Sequence, residues 1–215
     1  MLVGCGNNAF VLQPQLGDSK EDIEGHVATE FFFSRTDEKR SEPCFQWLGV
    51  DFAVQNNTGD FDFTIHRGGR RVGYVELVEL VERPPGARGS PYSTVSTKHL
   101  AQERADHVYE VIKKKWDKYR AVNEPIFLVM YATEEGFMPS TASTRLVTHW
   151  LFTRPDAPRF AAVFLRSVIP AMPNQLLFTP SGRAAYLAWA ASHGLAAETS
   201  DEVVWNLKLT DFRRG

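Results

Sequence analysis

The chain has 215 residues, 43% hydrophobic and 23% charged, the balance of an ordinary globular protein long enough to bury a core. Lys and Arg number 24 against 26 Asp and Glu, a formal net charge of -2. This excludes a strongly basic nucleic-acid coat and leaves any nucleic-acid contact to a local patch. The two cysteines, Cys5 and Cys44, exclude a disulfide scaffold and a four-thiolate zinc site.

Residues 1–17 carry little pattern and are expected to form a loose lead-in. One α/β domain is expected over 18–215, with a core over about 20–180 and a helix-and-strand extension over 181–215. Met1 to Cys5 is loosely similar to a bacterial lipoprotein cleavage site, but the charged start and apolar stretch of a secretion signal are missing. No apolar run approaches the ~20 residues that span a bilayer, so a cytoplasmic location is expected.

Asp18 and Ser19, followed by Glu21 and Asp22, form a helix N-terminus. Ile23, Val27 and Phe31 recur every four residues and carry the helix to about Phe33. Ser34 to Pro43 is charged and reads as a loop. Cys44 to Val54 is rich in aromatic and β-branched residues and reads as a strand. After the turn Asn56-Asn57-Thr58-Gly59, Phe61, Phe63 and Ile65 alternate with polar residues, the period of a strand. Gly68-Gly69 makes a hairpin turn, and Arg71 to Val81 is the third strand of an antiparallel meander.

Residues 82–96 are a Pro- and Gly-rich loop. A long helix follows from about Thr97 to Ala121, with the stripe Ala101, Ala105, Val108, Ile112, Trp116 and Tyr119. Pro125 to Tyr131 reads as a buried central strand. Ser140 to Phe152 reads as a helix, Phe160 to Val168 and Gln175 to Thr179 as strands, Arg183 to His193 as a helix stopped by Gly194, and Glu202 to Leu209 as a strand. The fold class is α/β, a mixed central sheet containing the meander and flanked by helices.

The segments Asp60-Phe61-Asp62-Phe63-Thr64-Ile65, Gly68-Gly69-Arg70-Arg71 and Val72-Gly73-Tyr74-Val75-Glu76-Leu77-Val78-Glu79-Leu80 sit within the order helix, meander, long helix, buried strand. Together they resemble the PD-(D/E)XK nuclease superfamily, the restriction-endonuclease-like fold, over roughly residues 20–132 and up to about 180. The resemblance implies a nucleic-acid-associated protein. It would either cleave phosphodiesters with Mg²⁺ or Mn²⁺ or keep a decayed site for binding, DNA being the implied partner. The alternative is a non-catalytic interaction or scaffold protein on the same fold. The motif aspartate maps onto Asp62, with Asp60 the second choice, and the glutamate onto Glu76. Hard cations take such carboxylate oxygens.

In active members a lysine lies two residues after the glutamate. Here that position is Val78, which favours binding over cleavage. Lys98 and Gln102, at the start of the next helix, are the replacement candidates. Glu30, beside the buried face of the first helix, is the candidate for a further metal ligand. The strand from Tyr74 places Tyr74, Glu76, Val78 and Leu80 on one face and Val75, Leu77 and Glu79 on the other, so each face holds an acid among apolar residues.

Basic residues concentrate in the long helix. Lys98 to Arg120 holds seven cations and four acids, with Lys113, Lys114 and Lys115 in a run. Arg67, Arg70 and Arg71 add a second cluster on the hairpin. Arg70, Arg71 and the three lysines are the candidate phosphate contacts, which would give salt-dependent affinity. The six histidines are scattered without the spacing of a helical zinc site, and neither a nucleophile elbow nor a P-loop occurs.

Overall fold

The computed structural model describes residues 2–4, 19–36, 42–56, 60–80, 97–132, 137–166 and 173–195, without side chains for 2–4 and 97–100. The loop expected over 82–96 and the strand expected over 202–209 lie outside them. The chain divides into two compact units interleaved in sequence. The first is Met1–Glu79, Asn123–Glu135 and Phe160–Leu176; the second is Leu80–Val122, Gly136–Arg159 and Leu177–Gly215.

The first unit opens with strand β1 (Leu2–Gly4), within the segment expected to be loose. It pairs antiparallel with β2 (Phe52–Gln55) through Leu2↔Val54. Helix α1 (Lys20–Phe33) starts where its cap requires: the Ser19 hydroxyl accepts from Asp22 N–H, and Glu21 and Asp22 occupy the first turn, where acids suit the dipole. Its buried residues are Glu24, Gly25, Ala28, Phe31 and Phe32.

The strand expected over Cys44 to Val54 is corrected. Cys44–Leu48 form a short helix, α2, and only Phe52–Gln55 are extended. Pro43 takes the N-cap position, and Gly49 closes α2 at φ 63, a left-handed turn that glycine adopts without strain. Arg67 then donates to the carbonyls of Leu48 and Gly49, satisfying the end of α2.

Strands β3 (Phe63–Arg67) and β4 (Arg70–Glu79) form the expected hairpin. Both turn glycines have positive φ, 55 at Gly68 and 73 at Gly69, the conformation of a two-residue hairpin loop. The ladder runs Phe63↔Val75, Thr64↔Tyr74 and Ile65↔Gly73, with a bulge between Ile65 and His66. Beyond β4 the sheet turns parallel: β4 pairs with β5 (Ile126–Tyr131) and β5 with β6 (Ala162–Arg166). The strands are thus neighbours in chain order, and β7 (Gln175–Phe178) is last in that order.

One core joins α1 and α2 to one face of this sheet. Ala28, Phe31, Phe32 and Cys44 pack with Ala53, Phe63, Ile65, Val75, Leu77, Val129, Tyr131 and Phe164. Phe31 meets Phe164 edge to face at 5.0 Å. The alternation of β4 puts Val75 and Leu77 toward this core and Glu76 and Val78 on the other face. Both of the latter are buried, at 2% and 6% exposure.

The second unit contains α3 (Thr97–Tyr119), α4 (Thr141–Thr153) and α5 (Arg183–Ser192). The α3 stripe is buried at Ala101, Ala105, Val108, Ile112 and Tyr119, while Trp116 is half-buried. Tyr109 of α3 meets Trp150 of α4 edge to face. Ser140 caps α4, and Gly194, at φ 67, follows α5. Among the described residues, no helix is long and apolar enough to cross a membrane.

Candidate functional site

Strand β3 stops at Phe63 while β4 runs on to Glu79. One step past the Phe63↔Val75 pair, antiparallel order sets Asp62 against Glu76. The ladder partner that Leu77 N–H would have there is replaced by a side chain: Asp62 Oδ2 accepts that N–H at 2.6 Å. A charge-assisted bond this short fixes the carboxylate against β4.

The turn that carries Asp62 is itself held. Asn56 N–H donates to Asp62 O at 2.9 Å, its Nδ2 donates to Phe61 O, and its Oδ1 accepts from the Thr64 hydroxyl, both at 3.0 Å. Next to Asn56, Gln55 Nε2 donates to Glu21 O at 3.0 Å, tying the first turn of α1 to the end of β2. A continuous set of hydrogen bonds therefore links α1, the Asp62 turn and β4.

That linkage brings α1 into the electrostatics of the site. Glu24, at 9% exposure, has its carboxyl held above the usual range, by burial first and then by repulsion from Asp62. Lys20 Nζ lies 3.3 Å from Glu24 Oε1. Glu24 chiefly favours the charged ammonium, and Asp62 and Glu76 add to this. The Tyr131 hydroxyl on β5 is pushed up by burial and by Glu79, Glu24 and Asp62. Glu24 thus feels the charge of Asp62, and Lys20 feels Asp62 and Glu76 beyond its own partner Glu24.

The remaining candidates have the following surroundings. Asp60 is exposed. Glu30 pairs with Arg166: buried on β6, Arg166 donates to Glu30 Oε2 at 2.8 Å and to Ser34 Oγ at 3.0 Å. Burial pushes the Arg166 guanidinium down, and Glu30 counters it. Gln102 is half-buried in the second unit, and the Lys98 side chain lies outside the described residues. Arg71 pairs with Glu124 at 2.8 Å and lies over the Tyr74 ring. Lys113 pairs with Asp156 at 3.0 Å. Arg70 and Lys114 are exposed and Lys115 is half-buried.

Lys20 and Glu24 were not among the sequence candidates. The signal for Glu24 was the spacing 24, 28, 31, 32, a helical stripe whose remaining members are Ala28, Phe31 and Phe32.

Among the described residues, no three His, Cys, Asp or Glu side chains are gathered into a metal cage. The donor set still fits a hard cation of the Mg²⁺ kind. Such ions are commonly held by one or two carboxylates, with water and substrate phosphate completing the shell. Asp62 keeps Oδ1 for that role while Oδ2 is fixed on Leu77, and Glu76 lies on the adjoining strand. Compared with known proteins, the chain matches no family model, and no curated protein or solved structure matches it either.

Proposed function

We propose that the chain is a nucleic-acid-associated protein whose first unit carries a divalent-cation-dependent phosphodiester-cleaving site on a restriction-endonuclease-like fold. The observation that carries this reading is Asp62, clamped to Leu77 N–H in register with buried Glu76. The order of α1, the β2–β4 meander, α3 and parallel β5 supports it. Asp62 and Glu76 would hold Mg²⁺ or Mn²⁺, which when bound polarises a phosphate oxygen and acidifies water. The protein's own part is to fix Asp62 through Asn56 and Leu77 and to keep Glu76 out of bulk water. Arg70 and Lys114, both exposed, offer phosphate contacts at the surface.

A second reading is favoured by Val78, buried and apolar where cleavage would want an amine: a site that binds the cation and DNA without cutting. Calorimetric titration with Mn²⁺, paired with nicking of supercoiled plasmid, separates the two. Saturable Mn²⁺ binding and nicking, both abolished by Glu76→Gln in a folded protein, support cleavage. Binding without nicking supports the second reading. No Mn²⁺ binding and no salt-sensitive DNA binding overturn both.

A further inference from the structure

Val78 on β4 presents only methyl groups, and a phosphodiester approaching Asp62 and Glu76 meets like charge. In the first turn of α1, Lys20 Nζ is 3.3 Å from Glu24 Oε1, and its side chain is 80% exposed against 11% for Glu24. The anchored carboxylate therefore holds one end of a long, open side chain. That end is kept beside the site by the Gln55 bond to Glu21 O and by the Asn56 clamp on the Asp62 turn.

We propose that Lys20 is the cationic group of the site, held by Glu24 and donating to a phosphate oxygen or to the attacking water at the Asp62–Glu76 pair. The assignment rests on the cleavage reading. It makes Lys20 a catalytic residue and Glu24 a positioning residue. In the hydrolysis, the water oxygen bonds to phosphorus as the bond to the leaving oxygen breaks. The water's proton passes to solvent, and the leaving oxygen takes one from solvent. Lys20 stays protonated throughout, contributing charge and hydrogen bonds where negative charge develops.

Two readouts on the full chain test this. Lys20→Met removes the charge at similar length, and because the residue is exposed a circular-dichroism melt should match wild type. Plasmid nicking in Mn²⁺ should fall about 100-fold or more, the effect of losing one preorganised donor, and Lys20→Arg should restore part of it. Calorimetry should show Mn²⁺ binding Lys20→Met about 3- to 10-fold more tightly, because a positive charge beside the carboxylates is gone. A surface ion pair would move neither quantity. Wild-type nicking that Glu76→Gln abolishes and Lys20→Met leaves intact overturns the Lys20 assignment and spares the cleavage reading. A wild-type chain that never nicks overturns the cleavage reading and the Lys20 role with it.

Discussion

Gly73 sits on β4 three residues before Glu76, where the sheet changes from antiparallel to parallel pairing. A Cβ at this position would lie 2.5 Å from Pro125 O and 3.3 Å from Pro125 C and Cβ. The first distance is about 0.5 Å below the 3.0 Å that real Cβ atoms respect, and the obstacle is backbone. The same carbonyl accepts Tyr74 N–H at 2.9 Å, one residue before the first rung of the β4–β5 ladder, Tyr74↔Ile126. Gly73→Ala must therefore push the strands apart or bend them. Overpacking of this kind costs about 1–3 kcal/mol, and weakening one buried hydrogen bond costs ~1 kcal/mol. Stiffening the unfolded chain returns about 0.4–1 kcal/mol, leaving a net destabilisation of ~2 kcal/mol. For a protein of this size that lowers Tm by roughly 4–8 °C. Urea denaturation followed by circular dichroism should show a lower midpoint with an unchanged slope. A Gly73→Ala protein as stable as wild type would refute the close approach of β4 and Pro125.

Two further outcomes concern charge. Glu30→Ala removes the carboxylate paired with the buried Arg166 guanidinium and should cost ~3 kcal/mol, whereas Arg166→Met leaves Glu30 able to reach water and should cost ~1 kcal/mol; urea midpoints check the order, and a costlier Arg166→Met would refute it. Because folding raises the Glu24 pKa, its ionised form opposes folding above the raised value, and the penalty disappears below the unfolded value of about 4. Glu24→Gln should therefore gain stability relative to wild type as pH rises from about 4 to 7. A difference that stays flat or shrinks over that range would contradict the burial of Glu24.

Local patterns made much of the fold legible. The Ser19 and Ser140 caps, the Gly68-Gly69 turn and the apolar run after Pro125 each declare an element by their own chemistry. Cys44 to Leu48 misled because Cys-Phe-Gln-Trp-Leu has the composition of a strand, while its conformation follows from Pro43 before it and left-handed Gly49 after it. Asp62 and Glu76 were legible because one hairpin brings them together. The pairing of Glu30 with Arg166 was not legible, because the two are 136 residues apart in sequence, beyond any local pattern. Glu24 was missed because the apolar residues Ile23, Val27 and Phe31, which do pack on the core, accounted for the helix on their own, and the acid beside Ile23 looked like part of its solvated side.

The order of the strands also bears on how the protein is made. Glu24, Asp62 and Glu76 are all synthesised before α3, so the antiparallel half of the sheet and its acids leave the ribosome first. The inner edge of β4 must then wait for residues 126–131 to arrive. During that interval a strand whose Val75, Leu77 and Val78 belong in the interior offers an open row of backbone donors and acceptors. Arrested or slowly translated chains ending between β4 and β5 are thus the species of this protein most exposed to aggregation and to capture by chaperones.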